Sequence, residues 1–479
     1  MKKRDVTVWT EAIPLISKSL ETLLDFVKPS DGMACSFHHH FRNGDNVLNM
    51  VMEALMDRDL TNLELYPSGI FPVHTSLIRA LKENRIRNLT TNYISGPFAD
   101  ALNTYGLTGE LTMQTHGGRA RAIIEGENAI DVAFIAVSAC DEKGNATGLE
   151  GDNVCGSLGY AIEDAIHAKK TILITDTIQT TITNPQIRSK WVDGILHVPS
   201  IGDPRGIVSG TLSITKDPLG LKIARDTIRF LDESGMIEKD VSFQSGAGGI
   251  SLAITKMFTE TLEEKGLSAS FFTGGITKHH VNALEKGLVK DLYDVQCFDL
   301  DAIRSLRENP RHHFMSASDY ANPNNDHRKI KDLSIVILGA AEVDLDFNVN
   351  VTTDSSGTII GGSGGHSDTA EDAALSIIVS PLLKGRMPLI KDRVTSITTP
   401  GQSVDVIITE RGIAINPKRH DLLERFKNTT LPLMSIESLQ KKAHALSGVP
   451  KHSPAKGRVI GHIESRHGQK GDALYRKEG

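Results

Sequence analysis

Two glycine-rich loops carry the first chemical signal. Gly361-Gly-Ser-Gly-Gly-His366 runs into Asp368-Thr-Ala-Glu371, an N-cap followed three residues later by Glu, so the spacing predicts a helix start there. Gln244-Ser-Gly-Ala-Gly-Gly249 precedes a second helical segment, ISLAITKMF. Glycines ahead of a helix present bare backbone N–H groups and the positive end of the helix dipole. That arrangement binds a phosphate or a developing oxyanion. Gly246, Ala247, Gly248, Gly249, Gly364, Gly365 and His366 are therefore candidate catalytic positions. Neither loop is a nucleotide fingerprint: Ser251 stands where GxGxxG needs its third Gly, and no GK[ST] occurs. The bland alternative is a pair of tight strand–helix turns with no ligand.

Cationic and imidazole groups gather elsewhere. In Ser36-Phe-His-His-His-Phe-Arg42, a strand would put His38 and His40 on one face and His39 on the other. No HxxxH or nearby carboxylate completes a ligand set, so a metal is not expected. A wall for an anionic substrate, made by His38, His39, His40 and Arg42, fits better. The alternative is histidines satisfied in a buried turn. His116-Gly-Gly-Arg119-Ala-Arg121 sets a guanidinium fork beside a Gly pair, which suits a carboxylate or phosphate. His116, Gly117, Gly118 and Arg119 are thus candidates for substrate binding, against solvated surface charge as the alternative. Two polar stretches follow apolar runs: Cys140-Asp-Glu-Lys-Gly-Asn145, and the segment from Glu342 through Asp344 to Asn348 and Asn350. Ligands of open parallel sheets bind at such strand ends. Glu342 is a candidate nucleophile or base, although a structural carboxylate capping turn amides is preferred. Asn348 and Asn350 are candidates for substrate contact.

The elements that must position these groups are legible as a pattern. Short apolar runs such as DVAFIAV, TILIT, SIVILG, SIIVS and VDVIIT are bounded by turn residues and separated by helix-like segments. Continuous apolar runs of that length suit strands buried on both faces. The expected class is α/β, with mainly parallel sheets and helices on both faces. The chain also echoes itself. Ser36-Phe37 matches Ser242-Phe243 at an offset of 206, DVAFIAVSACD matches DLSIVILGAAE at 201, and Glu163-Asp-Ala matches Glu371-Asp-Ala at 208. Two related halves are expected, 1–216 and 217–479, divided at Lys216-Asp217-Pro218.

With 479 residues the chain is long enough for two domains. A net charge of -6 disfavours a nucleic-acid binder. Four scattered cysteines without CxxC spacing read as reduced thiols of a cytoplasmic protein. The start, MKKRDVTVWT, lacks the apolar core of a signal peptide, and no apolar run reaches the ~18 residues of a membrane span.

SFHHHFRNGD, HGGRARAI, IDVAFIAVSACDEKGNATG, CGSLGYA, SGAGGISLA, FTGGITKHHVNALEKGLV, EVDLDFNVNV, GGSGGHSDTA and TPGQSVDVIITERGIAINP closely resemble the citrate lyase alpha subunit family. The resemblance covers about residues 20 to 450, while GRVIGHIESRHGQKGDALYRKEG resembles the family's terminal hairpin in more basic wording, which implies that the second half ends in a β-hairpin over about 456–477. It implies the CoA-transferase (NagB/RpiA-like) fold, with two related open α/β halves. It implies a citrate CoA-transferase that exchanges acetyl for citryl on a CoA-like thiol. That thiol is CoA, or a phosphopantetheine group carried by an acyl-carrier (gamma) subunit, and no cofactor is bound permanently by this chain. A beta subunit then releases oxaloacetate, so an oligomeric complex is implied.

Related CoA transferases that form a glutamyl thioester carry a Glu after a Gly-Ile-x-Thr-like turn. Here Gly274-Gly-Ile-Thr277 is followed by Lys278-His279-His280, so the resemblance implies direct transfer without an enzyme-bound adduct. Lys278 and His279 then become second candidates for substrate binding. Citramalate or another dicarboxylate as the acid, thioester hydrolysis, and a non-enzymatic sensor of the same fold are the alternatives. The loops Tyr66–His74 and Asn92–Pro97 are expected to shape the acid pocket.

Overall fold

Strands form where the apolar runs lie. Every residue of Val132–Ala136 and of Leu375–Val379 is buried, because helices cover both faces of their sheets and no alternation is needed. Helices begin and end on the expected chemistry. Asp217 accepts from the Leu219 N–H, Pro218 fills the first helical position, and Gly235 at φ 75° closes the helix Pro218–Ser234. The computed structural model describes residues 13–208, 213–449 and 457–476. The segment 1–12, read above as lacking a signal peptide's core, and the hairpin limits 456 and 477 lie outside the described residues.

Two large sheets organise the chain. The first has ten strands in the order Leu15–Ser17, Gly194–His197, Lys170–Thr175, Val132–Ala136, Ala34–Phe37, Leu63–Pro67, Ile86–Thr91, Leu111–Met113, Val459–Glu464 and Lys470–Tyr475. The second has eight: His312–Phe314, Val289–Cys297, Ala269–Ile276, Ser242–Ser245, Ile335–Gly339, Leu375–Val379, Val406–Thr409 and Gly412–Ile415. Apart from the outermost strand Leu15–Ser17, the final hairpin and Gly412–Ile415, both sheets are parallel and share one chain order, 7-6-5-1-2-3-4. In each, that order reverses between the first and fifth strands. Such a switch point opens a crevice at the strands' carboxyl ends.

The pairing register settles the internal repeat. Asn145 closes on Asp141 as Asn348 closes on Asp344, so the stretch DVAFIAVSACD lies at an offset of 203 rather than 201 and Val132 corresponds to Ile335. Cys35 pairs with Val132 and Phe243 with Ile335, so Cys35 corresponds to Phe243. The match of Ser36 to Ser242 is therefore two residues out of register; Ser36 corresponds to Gln244. A slip of two keeps every side chain on its face, which is why the pattern looked right in the wrong register. His38, His39 and His40 thus occupy the place that Gly246, Ala247 and Gly248 occupy in the second half. By the same reasoning Glu163 corresponds to Asp368, not to Glu371, because Lys170 corresponds to Leu375.

The terminal hairpin does not complete the second half. Its first strand pairs in parallel with Leu111–Met113, on the edge of the first sheet. Gly461 permits this approach: a Cβ there would lie 2.0 Å from the Leu111 carbonyl oxygen. At its turn Arg466 bonds Asp372 (2.7 Å) and Glu371 (2.9 Å) of the second half, while its carbonyl accepts from Arg121 Nε. The hairpin therefore ties the two halves together. An edge strand's open hydrogen-bonding row is also covered by it.

Candidate active site

The two crevices are brought together carboxyl end to carboxyl end. His38 to His40 leave the strand Ala34–Phe37 at the first switch point, where His40 Nε2 donates to the Ala136 carbonyl at 2.9 Å. Gly246 leaves Ser242–Ser245 at the second, where its N–H donates to the Ile337 carbonyl at 3.0 Å. Gln296, near the end of Val289–Cys297, donates across to the His39 carbonyl at 3.0 Å. His116 N–H donates to the Gly364 carbonyl at 2.9 Å, so the first half's His116 loop and the second half's glycine loop pair like a strip of sheet.

His39, His116 and Arg42 converge at this junction. The His39 ring stacks against Tyr160 (4.9 Å between centroids), Phe71 (5.8 Å) and His116 (6.0 Å). Ser68 Oγ lies 3.1 Å from the His39 N–H and 2.6 Å from Nδ1. The hydroxyl accepts the first, and its contact with Nδ1 fixes the plane of the ring. The His116 ring is tilted against Tyr160 with centroids 4.2 Å apart, and its buried Nδ1 has no hydrogen-bond partner among the described residues. A Cβ on Gly364 would lie 3.2 Å from His116 Nε2, and Gly364 itself sits at φ 52°. Arg42 has the left-handed φ of 51°, uncommon for a residue with a side chain. Its guanidinium lies 4.2 Å from the Phe298 ring centroid, and its buried Nε is without a partner among the described residues. Gly275 makes room for Phe298, since a Cβ there would meet that ring at 2.2 Å.

Burial changes the electrostatics expected from the sequence. His39 is pushed well below the ordinary imidazole value by burial and then by His116 and Arg42. Burial holds His40 at about 4, and burial with Arg119 holds His116 at about 3. These rings are neutral donors at neutral pH rather than cations. Arg42 brings the standing charge, because a guanidinium stays protonated even where burial lowers its pKa.

The remaining sequence candidates are placed otherwise. Arg119 is buried, with Nη1 and Nη2 on Asp164 at 2.8 and 2.7 Å and further bonds to the Tyr66 and Tyr160 carbonyls. His38 Nε2 reaches the same Asp164 at 3.0 Å. The Gly117 N–H donates to Asp368 Oδ2 and the Gly118 N–H to Thr115 Oγ1, so neither amide is left for a ligand. Glu342 accepts from Asn350 Nδ2, Ser355 Oγ and the Thr395 N–H, which makes it the structural carboxylate. Asn348 closes a turn on Asp344, just as Asn145 does on Asp141 in the first half, and Asn350 is filled by Thr352, Thr353 and Ser396. Lys278 is exposed, with its N–H capped by Asp299. His279 lines a groove with Lys256 and Lys286. His366 bridges Thr399 Oγ1 (2.7 Å) and the Gly339 carbonyl (2.8 Å), bracing the glycine loop on the end of the strand Ile335–Gly339.

Sequence reasoning missed Tyr160, Ser68, Phe298, Tyr320, Asp164 and Asp368. Single aromatics and carboxylates carry no spacing signal. Phe71 and Tyr93 lie in the two loops expected to shape the acid pocket, and their rings sit 5.3 Å apart. Gln244 Nε2 donates to Tyr320 Oη at 2.8 Å, and a Cβ on Gly365 would come within 2.6 Å of the same oxygen. Tyr320 thus connects the two glycine loops.

The model for citrate lyase, alpha subunit (CitF), matches residues 15–476. The chain belongs to the citrate lyase alpha subunit family. It is 42% identical over 460 residues to the citrate lyase alpha chain of Klebsiella pneumoniae, covering 96% of this chain and 91% of that one. With the Escherichia coli citrate lyase alpha chain it shares 40% over 446 residues, 93% of this chain and 88% of that one. The crystal structure of the putative alpha subunit of citrate lyase from Streptococcus mutans, in complex with citrate, superposes with a TM-score of 0.96 at 39% identity, covering 100% of this chain and 94% of that one. The alpha subunit of a malonate decarboxylase from Acinetobacter baumannii shares the fold, with a TM-score of 0.65 at 14% identity over 93% of this chain and 94% of that one. Membership makes this chain a transferase, the citrate CoA-transferase component of citrate lyase, and a subunit of a larger complex. Among the described residues no helix is long and apolar enough to cross a membrane.

The neutral imidazoles make stability depend on pH. A folded pKa below the unfolded value of about 6.5 gives stability that is present above that pH and lost as pH falls. His40 and His280, both buried and lowered to about 4 and about 3, each lose roughly 2 kcal/mol between pH 7 and 5, and His39 acts in the same direction. His116 and His366, lowered to about 3 and 4, act in the same direction. Glu163 and Asp368, raised to about 7 by burial, oppose this by about 2 kcal/mol each, because a raised folded pKa is lost as pH climbs. The imidazoles outnumber them. The thermal midpoint is expected to be lower at pH 5 than at pH 7 by calorimetry; a higher one would show that these rings are charged in the folded protein.

Proposed function

We propose that the junction holds citrate against Arg42, His39 and His116 while the glycine loops take the acetyl thioester. The observation that carries this is the pairing of His116 with Gly364, which sets the acid-binding side of one half beside the amide-rich loop of the other. A citrate carboxylate adds to the acetyl carbonyl, the C–S bond breaks, and a thiolate leaves with a mixed anhydride behind. Return of the thiolate to the citryl carbonyl expels acetate, so acetyl thioester plus citrate gives citryl thioester plus acetate. The Gly246 and Gly364 amides are taken by the Ile337 and Asn92 carbonyls, so the amides of Ala247, Gly248, Gly249 and Gly365 are the ones that stabilise the two oxyanions. Arg42 and the His39 ring hold the attacking acid, and that proximity supplies ~7–11 kcal/mol in a well-aligned site. The position of Lys278 and His279 just beyond the carboxyl end of Ala269–Ile276 supports a role with the outer part of the thioester rather than with the acid.

The thiol is that of CoA or of a phosphopantetheine arm on an acyl-carrier (gamma) subunit. A beta subunit cleaves the citryl thioester to oxaloacetate, in a cytoplasmic complex. The chain itself keeps no cofactor. A crystal neighbour that carries citrate and shares 39% of its sequence supports citrate as the acid. The test is exchange. Purified protein, acetyl-CoA and citrate are expected to yield citryl-CoA and acetate by mass spectrometry, with citramalate, succinate and water as competing acceptors. Free CoA alone would mean hydrolysis. A borohydride- or hydroxylamine-sensitive glutamyl adduct would sink direct transfer.

A further inference from the structure

The two halves cap each other's helices. Asp368 projects from the second half's short helix His366–Asp372. Its Oδ1 accepts from Thr115 Oγ1 at 2.7 Å and its Oδ2 from the Gly117 N–H at 3.0 Å. Those groups open the helix His116–Glu125 of the first half, whose first residue is His116. Glu163 stands at the corresponding place in the first half. Its Oε1 accepts from the Ser318 N–H at 3.1 Å, at the start of the second half's helix Ala317–Ala321 behind its N-cap Ser316. Thr115 and Ser316 also correspond in the repeat, because Leu111 and His312 follow the same register. The helix that Glu163 caps carries Tyr320, which bonds Gln244 and packs under Gly365.

The bare helix start at Gly117 fits this use. A Cβ there would lie 3.0 Å from Asp368 Oδ1 and 2.0 Å from the Ala321 carbonyl oxygen. Arg466, from the terminal hairpin, holds the Asp368 carbonyl at 3.3 Å and fixes the other end of the cap. Neither carboxylate reaches Arg42 or the His39 ring directly, so their effect passes through the residues on the capped helices.

We propose that Asp368 and Glu163 are a reciprocal pair of positioning residues that set the spacing of the two halves' substrate-facing loops. Asp368 places His116, and Glu163 places Tyr320. The inference rests on the reading of His116 as substrate-facing, and the experiment separates the two. Acetyl-CoA–citrate exchange is measured for Asp368→Ala, Asp368→Asn, His116→Ala and the double variant Asp368→Ala/His116→Ala. Misplacing a group by about 1 Å costs roughly 10²-fold. Asp368→Ala is expected to lose about that factor in kcat with an unchanged KM for acetyl-CoA. Asp368→Asn keeps an acceptor for the Gly117 N–H and is expected to stay within about threefold of the parent, following the loss of one neutral hydrogen bond. On the His116→Ala background, Asp368→Ala is expected to add little, since groups acting through each other are non-additive. Additive losses, or full activity in Asp368→Ala, overturn the latch. A harmless His116→Ala overturns instead the placement of His116 against substrate. Should Asp368→Ala fail to fold, Thr115→Val removes the same contact from the other side and is expected to lower kcat in the same way; full activity there also overturns the latch.

Discussion

Arg42→Ala is expected to lower kcat/KM for citrate by roughly 30- to 4,000-fold, the equivalent of the ~2–5 kcal/mol lost when one partner of a buried charged pair is truncated. Citrate carries several negative charges, and the surrounding imidazoles are neutral at pH 7. Arg42 therefore carries the charge balance at the junction. Its surroundings favour a guanidinium over any other cation. The guanidinium lies over the Phe298 ring, its buried Nε has no partner among the described residues, and its backbone is held at φ 51°. A lysine would lose both the stacking and the two-pronged grip on a carboxylate, so Arg42→Lys is expected to rescue little. Exchange kinetics, with citrate affinity measured by titration calorimetry, give the comparison. A parental citrate affinity in Arg42→Ala would remove Arg42 from the acid site.

Asp164→Ala is expected to cost about 3–5 kcal/mol of stability, because it leaves the Arg119 guanidinium buried without its counter-charge. Arg119 and Asp164 are both buried, and His38 adds a third group to the same carboxylate. Burial alone would raise the Asp164 pKa, but Arg119 and His38 together hold it well below the usual carboxylate range. Its contribution is thus present above about pH 3.8 and lost only as pH falls far below that. The pair is structural: it ties the helix His116–Glu125 to the helix Ile162–His167 behind the His39 loop. Replacing both partners with apolar residues, Asp164→Leu with Arg119→Met, is expected to cost less than Asp164→Ala alone, since no charge is then stranded. Thermal or denaturant unfolding checks the order. A double variant less stable than the single would mean that the ion pair itself stabilises the protein.

Much of the fold was legible before any coordinates. The runs DVAFIAV and SIIVS announce strands covered on both faces, and strand–glycine–helix alternation announces parallel sheets. Asp217-Pro218 and Gly235 mark their helix because capping chemistry is local. The duplication was visible too, although its register was not. Alternating faces tolerate a slip of two, and only the pairing of Cys35 with Val132 and Phe243 with Ile335 removes it. The terminal hairpin was readable as a hairpin. Its attachment to Leu111–Met113 was not, because the choice of sheet edge depends on where the chain can reach.

The chain's own order of residues determined the class and the family, since both follow from short-range pattern. Tertiary structure alone decided which charged and imidazole groups are available. Arg119, Glu342 and Asn350 look like binding groups in a string of letters, yet each is saturated by partners far along the chain. His38, His39 and His40 look equivalent, yet Asp164, Ser68 and the Ala136 carbonyl give them three different roles. The physical reason is that hydrogen-bond saturation and desolvation depend on three-dimensional neighbours, and these set whether a side chain is a cation, a neutral donor or a strut.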